Sequence, residues 1–281
     1  MKTIDVTDWE VAAENPSGAR EKIWLINPSN KEKYLFKKPQ SEGERIGEVA
    51  SYCLGTEIFN LKIPETVFAE RAGVLGTISK SFIPEGEQTY LEFQEIVDYF
   101  GDDFDEYDLT EYTLMKSLEI VKQLGVKENF FEMCLFDYLI ANQDRHVQNW
   151  GILTNQKTNE KYFSPLYDNG SSLFSGYKDE QLLDFLRDNN KFQAYTNRAR
   201  SLFFYEKKKP KFISILQALL ANDQQLFVHT FKKFQHKNSE VISELLVQRV
   251  GVSELRSKLI VKLIIYRTQK IEQLINDFEV N

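Results

Sequence analysis

The segment Asn142-Gln143-Asp144-Arg145-His146-Val147-Gln148-Asn149-Trp150-Gly151 follows an apolar run, and nineteen residues beyond Asn149 comes Asp168, within Leu166-Tyr167-Asp168-Asn169-Gly170-Ser171. In the preceding run Phe130, Phe131, Cys134, Leu135, Tyr138 and Leu139 recur at helical spacing. That spacing predicts a helix over 129–141 that buries one face and delivers the loop at its C-terminal end. Phosphoryl transfer from a nucleotide needs one carboxylate to orient and deprotonate a hydroxyl, and an oxygen-rich pair to hold Mg²⁺ against the phosphates. Asp144 with Asn149 five positions later, then a separate turn aspartate, Asp168, meets that need. An Asp and an Asn at this distance recur by chance, so the second carboxylate, after a short hairpin, is what makes the pattern specific. Asp144, Asn149, Asp168 and His146 are the candidate catalytic residues, with Asn149 and Asp168 the candidate metal ligands. His146 fits an orienting role, since Asp144 already supplies a base. Arg145 fits a phosphate contact or a solvent-facing position equally well. Asn142 fits a cap of the preceding helix or a brace for the loop.

Upstream, Lys22 to Asn27, Tyr34 to Lys38, Thr66 to Ala69 and Gly76 to Ile83 are short, β-prone and separated by turn residues. Residues 45–60 read as one helix, with Ile46, Val49, Ala50, Cys53 and Leu54 at helical spacing. Lys37 and Lys38 lie in one strand, where alternation lets only one point into a cleft; the order Lys37-Lys38-Pro39 favours Lys37. Glu48 in the helix is its expected partner, with Glu44 one turn away as the competitor. Pro16-Ser17-Gly18-Ala19-Arg20-Glu21-Lys22 is a turn of small residues suited to bringing backbone N–H groups to phosphate oxygens. Lys37, Glu48, Ser17, Gly18, Ala19 and Lys22, with Phe82 and Ile83 where the last strand reaches Pro84, form the candidate cofactor-binding set.

The rest of the chain bounds the answer. It has 281 residues, 42% apolar, with 21 Phe and 13 Tyr, which is ample for a real core and excludes a disordered chain. No apolar stretch is long enough to span a membrane, and the acidic start lacks the order of a secretory signal. Cys53 and Cys134 are too few for a disulfide scaffold and read as buried thiols. A net charge of −7 argues against general nucleic-acid affinity. Twelve acids stand against one base between Glu85 and Glu119, which reads as a solvated face. After Glu85 the pattern turns helical, with helices predicted over 212–220, 224–234, 239–248 and 253–278. A small β-rich part, residues 1–86, is therefore expected to join a larger helical part, residues 87–281, near Pro84 to Glu87.

Taken together, these motifs resemble the bacterial HipA-like (HipA/CtkA-type) serine/threonine kinases over about residues 15 to 175. That family's Gly-[Ala/Val]-Gln-x-Lys turn is matched by Gly18-Ala19-Arg20-Glu21-Lys22, with Arg in place of Gln. Its strand Lys-x-Pro is matched by Lys37-Lys38-Pro39. Its Asn-x-Asp-x-His-x-x-Asn loop is matched in full by Asn142, Asp144, His146 and Asn149, and its Leu-Tyr-Asp by Leu166-Tyr167-Asp168. The resemblance implies an α+β, bilobal protein-kinase-like fold, with a β-rich N-lobe covering ATP and a helical C-lobe. It further implies Asp144 as general base, Asn149 and Asp168 on Mg²⁺, Lys37 on ATP, a Ser or Thr of a protein as acceptor, and a small helix-turn-helix antitoxin as partner. Neither membrane nor direct nucleic-acid binding is expected. Localisation is expected to be cytoplasmic, with export as an effector the other outcome the family allows. Full-length HipA proteins carry an extra subdomain before the turn, whereas about fourteen residues precede it here, so a short kinase-core form is expected. Family toxins are silenced by autophosphorylation in that turn, where Ser17 is the only candidate.

Overall fold

A computed structural model describes residues 2–13, 21–83, 89–101, 104–105, 108–205 and 209–280. Ser17, Gly18 and Ala19 of the candidate phosphate turn lie outside the described residues, as does the expected join near Pro84 to Glu87.

Among the described residues six strands form the first sheet: β1 (Ile4–Asp5), β2 (Glu10–Val11), β3 (Lys22–Ile26), β4 (Lys33–Lys37), β5 (Thr66–Arg71) and β6 (Val74–Lys80), in the order β1-β5-β6-β4-β3-β2. The period of two sorts their side chains cleanly. Leu25, Tyr34, Phe36 and Ile78 point to one face, where with Val6 and Ala69 they close a small apolar cluster. Lys22, Trp24, Leu35, Lys37, Thr77 and Ser79 point to the other face and line a cleft. Antiparallel pairing of Lys37 with both Lys22 and Thr77 fixes this register, and a slip of one residue would carry Lys37 out of the cleft.

Helix α1 (Glu42–Cys53) starts three residues before the position expected from periodicity, because the Ser41 side chain caps it by accepting from the Glu44 N–H. The sequence reading ran this helix to Asn60, but it widens to a π-helical turn over Leu54–Ile58. Val49, Ala50, Cys53 and Leu54 are buried, as their spacing predicts.

The second part is not purely helical, contrary to the sequence pattern after Glu85. Strands β7 (Leu91–Glu95), β8 (Gly151–Asn155) and β9 (Lys161–Phe163) form a separate antiparallel sheet, β7-β8-β9. Five residues at most per strand leave too few alternations to register as a β pattern. Among the described residues eight α-helices complete it: α2 (Leu114–Gln123), α3 (Lys127–Ile140), α4 (Asp179–Arg187), α5 (Asn189–Arg198), α6 (Phe212–Asn222), α7 (Gln224–Phe231), α8 (Ser239–Glu244) and α9 (Glu254–Val280). The expected 239–248 helix is α-helical only to Glu244 and continues as a π-helical segment, Leu245–Val250.

Helix α3 is the hub. The sequence suggested a one-faced stripe, yet every residue from Phe130 to Ile140 is buried, Glu132 and Asp137 included. Such a helix sits at the centre of a lobe rather than on its surface. On one side α9 closes over it, and Arg267 of α9, wholly buried, donates to the carbonyl oxygens of Tyr138 and Thr196. Among the described residues no helix is long and apolar enough to cross a membrane.

Candidate active site

Helix α3 ends where Ala141 turns left-handed at φ 60°. Asn142 then braces the loop rather than merely ending the helix. Its Nδ2 donates to Asp137 Oδ1 at 3.0 Å, and its Oδ1 accepts from the Asp144 N–H at 3.1 Å. The Asn149 amide reaches back to donate to the Asp144 carbonyl at 2.7 Å. With that nitrogen committed, the carboxamide oxygen is the ligand atom Asn149 can present. Asp144 is half-buried, and Ser171 Oγ approaches its Oδ2 at 3.4 Å. His146 Nδ1 accepts from the Gln148 N–H at 3.2 Å, which orients the ring within its own loop.

Arg145 takes neither position the sequence suggested. It is 2% exposed, faces neither solvent nor a phosphate position, and forms a buried ion pair with Asp137 of α3. Sequence offered no signal for this, since the partner lies eight residues earlier inside an apolar helix.

Across the cleft, Lys37 Nζ lies 3.2 Å from Glu48 Oε1 and 3.2 Å from Asp168 Oδ1. Burial alone would lower the Lys37 pKa, but the carboxylates of Asp168 and Glu48 outweigh it and hold the group above its ordinary value. Glu48 is pushed up, chiefly by burial and further by the charge of Asp168, with Lys37 opposing. The other oxygen of Glu48 accepts from the Asn169 N–H at 3.1 Å, so one side chain holds both the strand lysine and the turn. Lys38 lies at the exposed edge of the cleft and pairs with Glu21 at 2.9 Å rather than with Glu48 or Asp168. Glu44 instead accepts from the Gln40 N–H.

The turn carrying Asp168 is an unusual piece of backbone. Asp168, Leu173 and Phe174 have φ of 58°, 49° and 61°, a region most side chains avoid. What holds it is its closeness to α1. A Cβ on Gly47 would lie 2.6 Å from the Gly170 carbonyl, and one on Gly170 would lie 2.8 Å from Glu44 Cγ. Ser41 Oγ donates to the Ser175 carbonyl, and Ser51 and Ser172 share a hydrogen bond of 3.0 Å. The glycines are there because nothing larger fits between helix and turn.

A cleft of about 700 Å³ joins these pieces, bringing together Lys22, Lys37, Glu48, Phe82, Ile83, Asp144, His146, Asn149 and Asp168. The sequence singled out Phe82 for this cleft but not the rest of its aromatic wall. The Phe82 ring stacks on Tyr167 with centroids 5.7 Å apart, and Phe93 of β7 meets Phe82 edge-on at 5.3 Å. Among the described residues no three or more His, Cys, Asp or Glu side chains form a cation site by themselves. The donor set here is one carboxylate and one carboxamide oxygen. That suits a hard cation completing its shell with phosphate oxygens and water, the usual manner of Mg²⁺.

A family model described as the HipA-like C-terminal domain matches residues 15–227. The serine/threonine-protein kinase CtkA of Helicobacter pylori (strain J99 / ATCC 700824) is 26% identical over 194 residues, which make up 62% of this chain. Those residues span 57% of that relative's length. A crystal structure of a Helicobacter pylori proinflammatory kinase CtkA superposes with a TM-score of 0.81 at 20% identity, covering 99% of this chain and 98% of that one. A chain from the Shewanella oneidensis MR-1 toxin–antitoxin complex of HipA, HipB and operator DNA gives a TM-score of 0.52 at 11% identity, covering 94% and 66%. The two structural likenesses establish a kinase-like, mixed α and β fold.

Proposed function

We propose that this chain, which belongs to the HipA-like C-terminal domain family, is an ATP- and Mg²⁺-dependent kinase that phosphorylates a serine or threonine of a protein. The observation that carries this reading is the convergence of Lys37, Glu48 and Asp168 in the same cleft that Asp144 and Asn149 line.

In this reading Lys37, kept protonated by its two carboxylate neighbours, binds the α- and β-phosphates while Glu48 fixes its position. Lys22 stands beside it on the neighbouring strand as a second cation for the phosphates. Phe82 and Ile83 give the nucleotide base an apolar surface. Asn149 and Asp168 hold Mg²⁺, which neutralises charge on the transferring phosphates. Asp144 takes the proton of the acceptor hydroxyl. As it does, the hydroxyl oxygen bonds the γ-phosphorus, the bond from that phosphorus to the β–γ bridging oxygen breaks, and ADP leaves. Little covalent chemistry falls to the protein, so catalysis is positioning and charge stabilisation.

The test is transfer of radiolabelled phosphate from ATP to proteins of a bacterial lysate, wild type against Asp144→Asn. The variant should lose at least ~10²-fold in kcat with nucleotide affinity within a few-fold of wild type. Equal turnover would remove Asp144 as the base. Nucleotide binding without any transfer by the wild type would leave a nucleotide-binding module instead of a kinase.

A further inference from the structure

The Arg145 guanidinium carries five N–H donors, and all five are used. Nε and Nη2 donate to the two oxygens of Asp137 at 2.9 and 2.8 Å. Nη1 donates to the backbone carbonyls of Asn149 at 2.7 Å and Tyr167 at 2.6 Å. The second Nη2 proton goes to Asn169 Oδ1 at 2.6 Å. These acceptors belong to three separate pieces of chain: helix α3, the loop of Asp144 and Asn149, and the turn whose residues 167 and 169 flank Asp168. Its charge is met by Asp137, itself buried, so the group has no need of a ligand.

We infer that Arg145 is a positioning residue that sets the separation between Asn149 and Asp168, and thereby the affinity of the site for its divalent cation. This rests on the cation reading given above. Arg145 holds Asn149 by that residue's own carbonyl and holds Asp168 by both of its neighbours, so the two ligand-bearing peptides cannot drift apart without breaking bonds to one planar group. Mg²⁺ demands near-ideal octahedral geometry with short bonds and tolerates such drift poorly. Lysine cannot substitute, because three donors on a point charge do not span a planar fork of five. The loop is thus fixed to the turn by the residue next to the proposed base, from behind the cleft and without touching substrate.

The measurement is the Mg²⁺ concentration that half-saturates binding of a fluorescent ATP analogue, read on wild type, Arg145→Lys and Asn169→Ala. Residues that orient metal ligands typically contribute about 10–100-fold to metal affinity, so Arg145→Lys should raise the half-saturating Mg²⁺ by that factor. Affinity for the nucleotide without metal should stay within about twofold of wild type, well under that range. Asn169→Ala removes one of the two Arg145 links to the turn, along with the Asn169 Nδ2 bond to the Leu166 carbonyl; it leaves the Arg145 bond to the Tyr167 carbonyl, the Arg145–Asp137 pair and the backbone bond to Glu48 intact, and should shift the value in the same direction by less. Should Arg145→Lys fail to fold, Asn169→Ala decides the matter. A purely structural role would lower the signal amplitude with the folded fraction and leave the half-saturation point unmoved, which overturns the inference. A wild type whose nucleotide binding ignores Mg²⁺ overturns the cation reading and this inference with it. Normal Mg²⁺ dependence in both wild type and variants refutes the role of Arg145 alone.

Discussion

Replacing Gly47 by alanine sets two effects against each other. In an exposed helix interior the change stabilises by ~1 kcal/mol, because glycine surrenders more backbone freedom on folding. In α1 the new methyl would lie 2.6 Å from the Gly170 carbonyl oxygen, where real Cβ atoms keep at least 3.0 Å. Helix or turn must therefore give by about 0.4 Å or more, and neither gives readily. The obstacle is backbone, and the turn is already held at positive φ by Asp168, Leu173 and Phe174. Overpacking of this kind costs ~1–3 kcal/mol, so the balance is a net loss of ~0–2 kcal/mol. For a chain of this size class that is a fall of a few degrees in Tm, at roughly 2–4 °C per kcal/mol. Gly176, which has open space around its missing Cβ, is the control; Gly176→Ala should be neutral or slightly stabilising. Thermal unfolding of wild type and both variants measures the difference. A Gly47→Ala protein at least as stable as Gly176→Ala would mean that α1 is not clamped to the Asp168 turn, and the account of that turn would fall.

Two other outcomes follow from the same geometry. Lys37→Ala leaves Glu48 and Asp168 facing each other and removes the phosphate cation, so nucleotide affinity should fall at least ~10-fold, the worth of a charged hydrogen bond. Lys38→Ala should change affinity less than about twofold, its exposed pair with Glu21 being worth little; titrating the fluorescent analogue compares them, and the reverse result would shift the β4 register by one. Burial, assisted by Glu57, pushes the Cys53 thiol up to about 11, and burial lifts Cys134 well above its ordinary value. Both should resist alkylation at pH 8 in the native protein and react in denaturant, as mass analysis would show. Because the folded-state Cys53 value is the raised one, its contribution to stability is complete below its ordinary 9.0 and is lost as pH rises toward about 11. Rapid native labelling at pH 8 would contradict the burial.

Much of the site was legible in the sequence because it depends on residue types at short spacings. Asp144, Asn149 and Asp168 need only be recognised as oxygen donors around a hairpin, and Lys37 follows from alternation in a short strand. Arg145 was not legible, because phosphate contact, solvent exposure and burial look alike until Asp137 is known to stand behind it. Nor were the glycines of α1, since a glycine in a helical pattern reads as a weakness until the opposing backbone is seen. Strands β7 to β9 were hidden by brevity. Helix α3 was found by its stripe, yet its burial on all sides depends on what α7 and α9 bring later in the chain.

The seat of Arg267 under α3 has a consequence for how the protein comes into being. A gap of 129 residues separates Arg267 from Tyr138, whose carbonyl it binds at the end of the helix that launches the Asp144 loop. Contacts so distant along the chain form late, since the loop between them must close before they reward it. During synthesis the N-terminal strands can pair while α3 still lacks its cover, leaving its aromatic side chains open to water or to chaperones. The loop that would act on ATP gains its rigid support only after α9 has been made and docked.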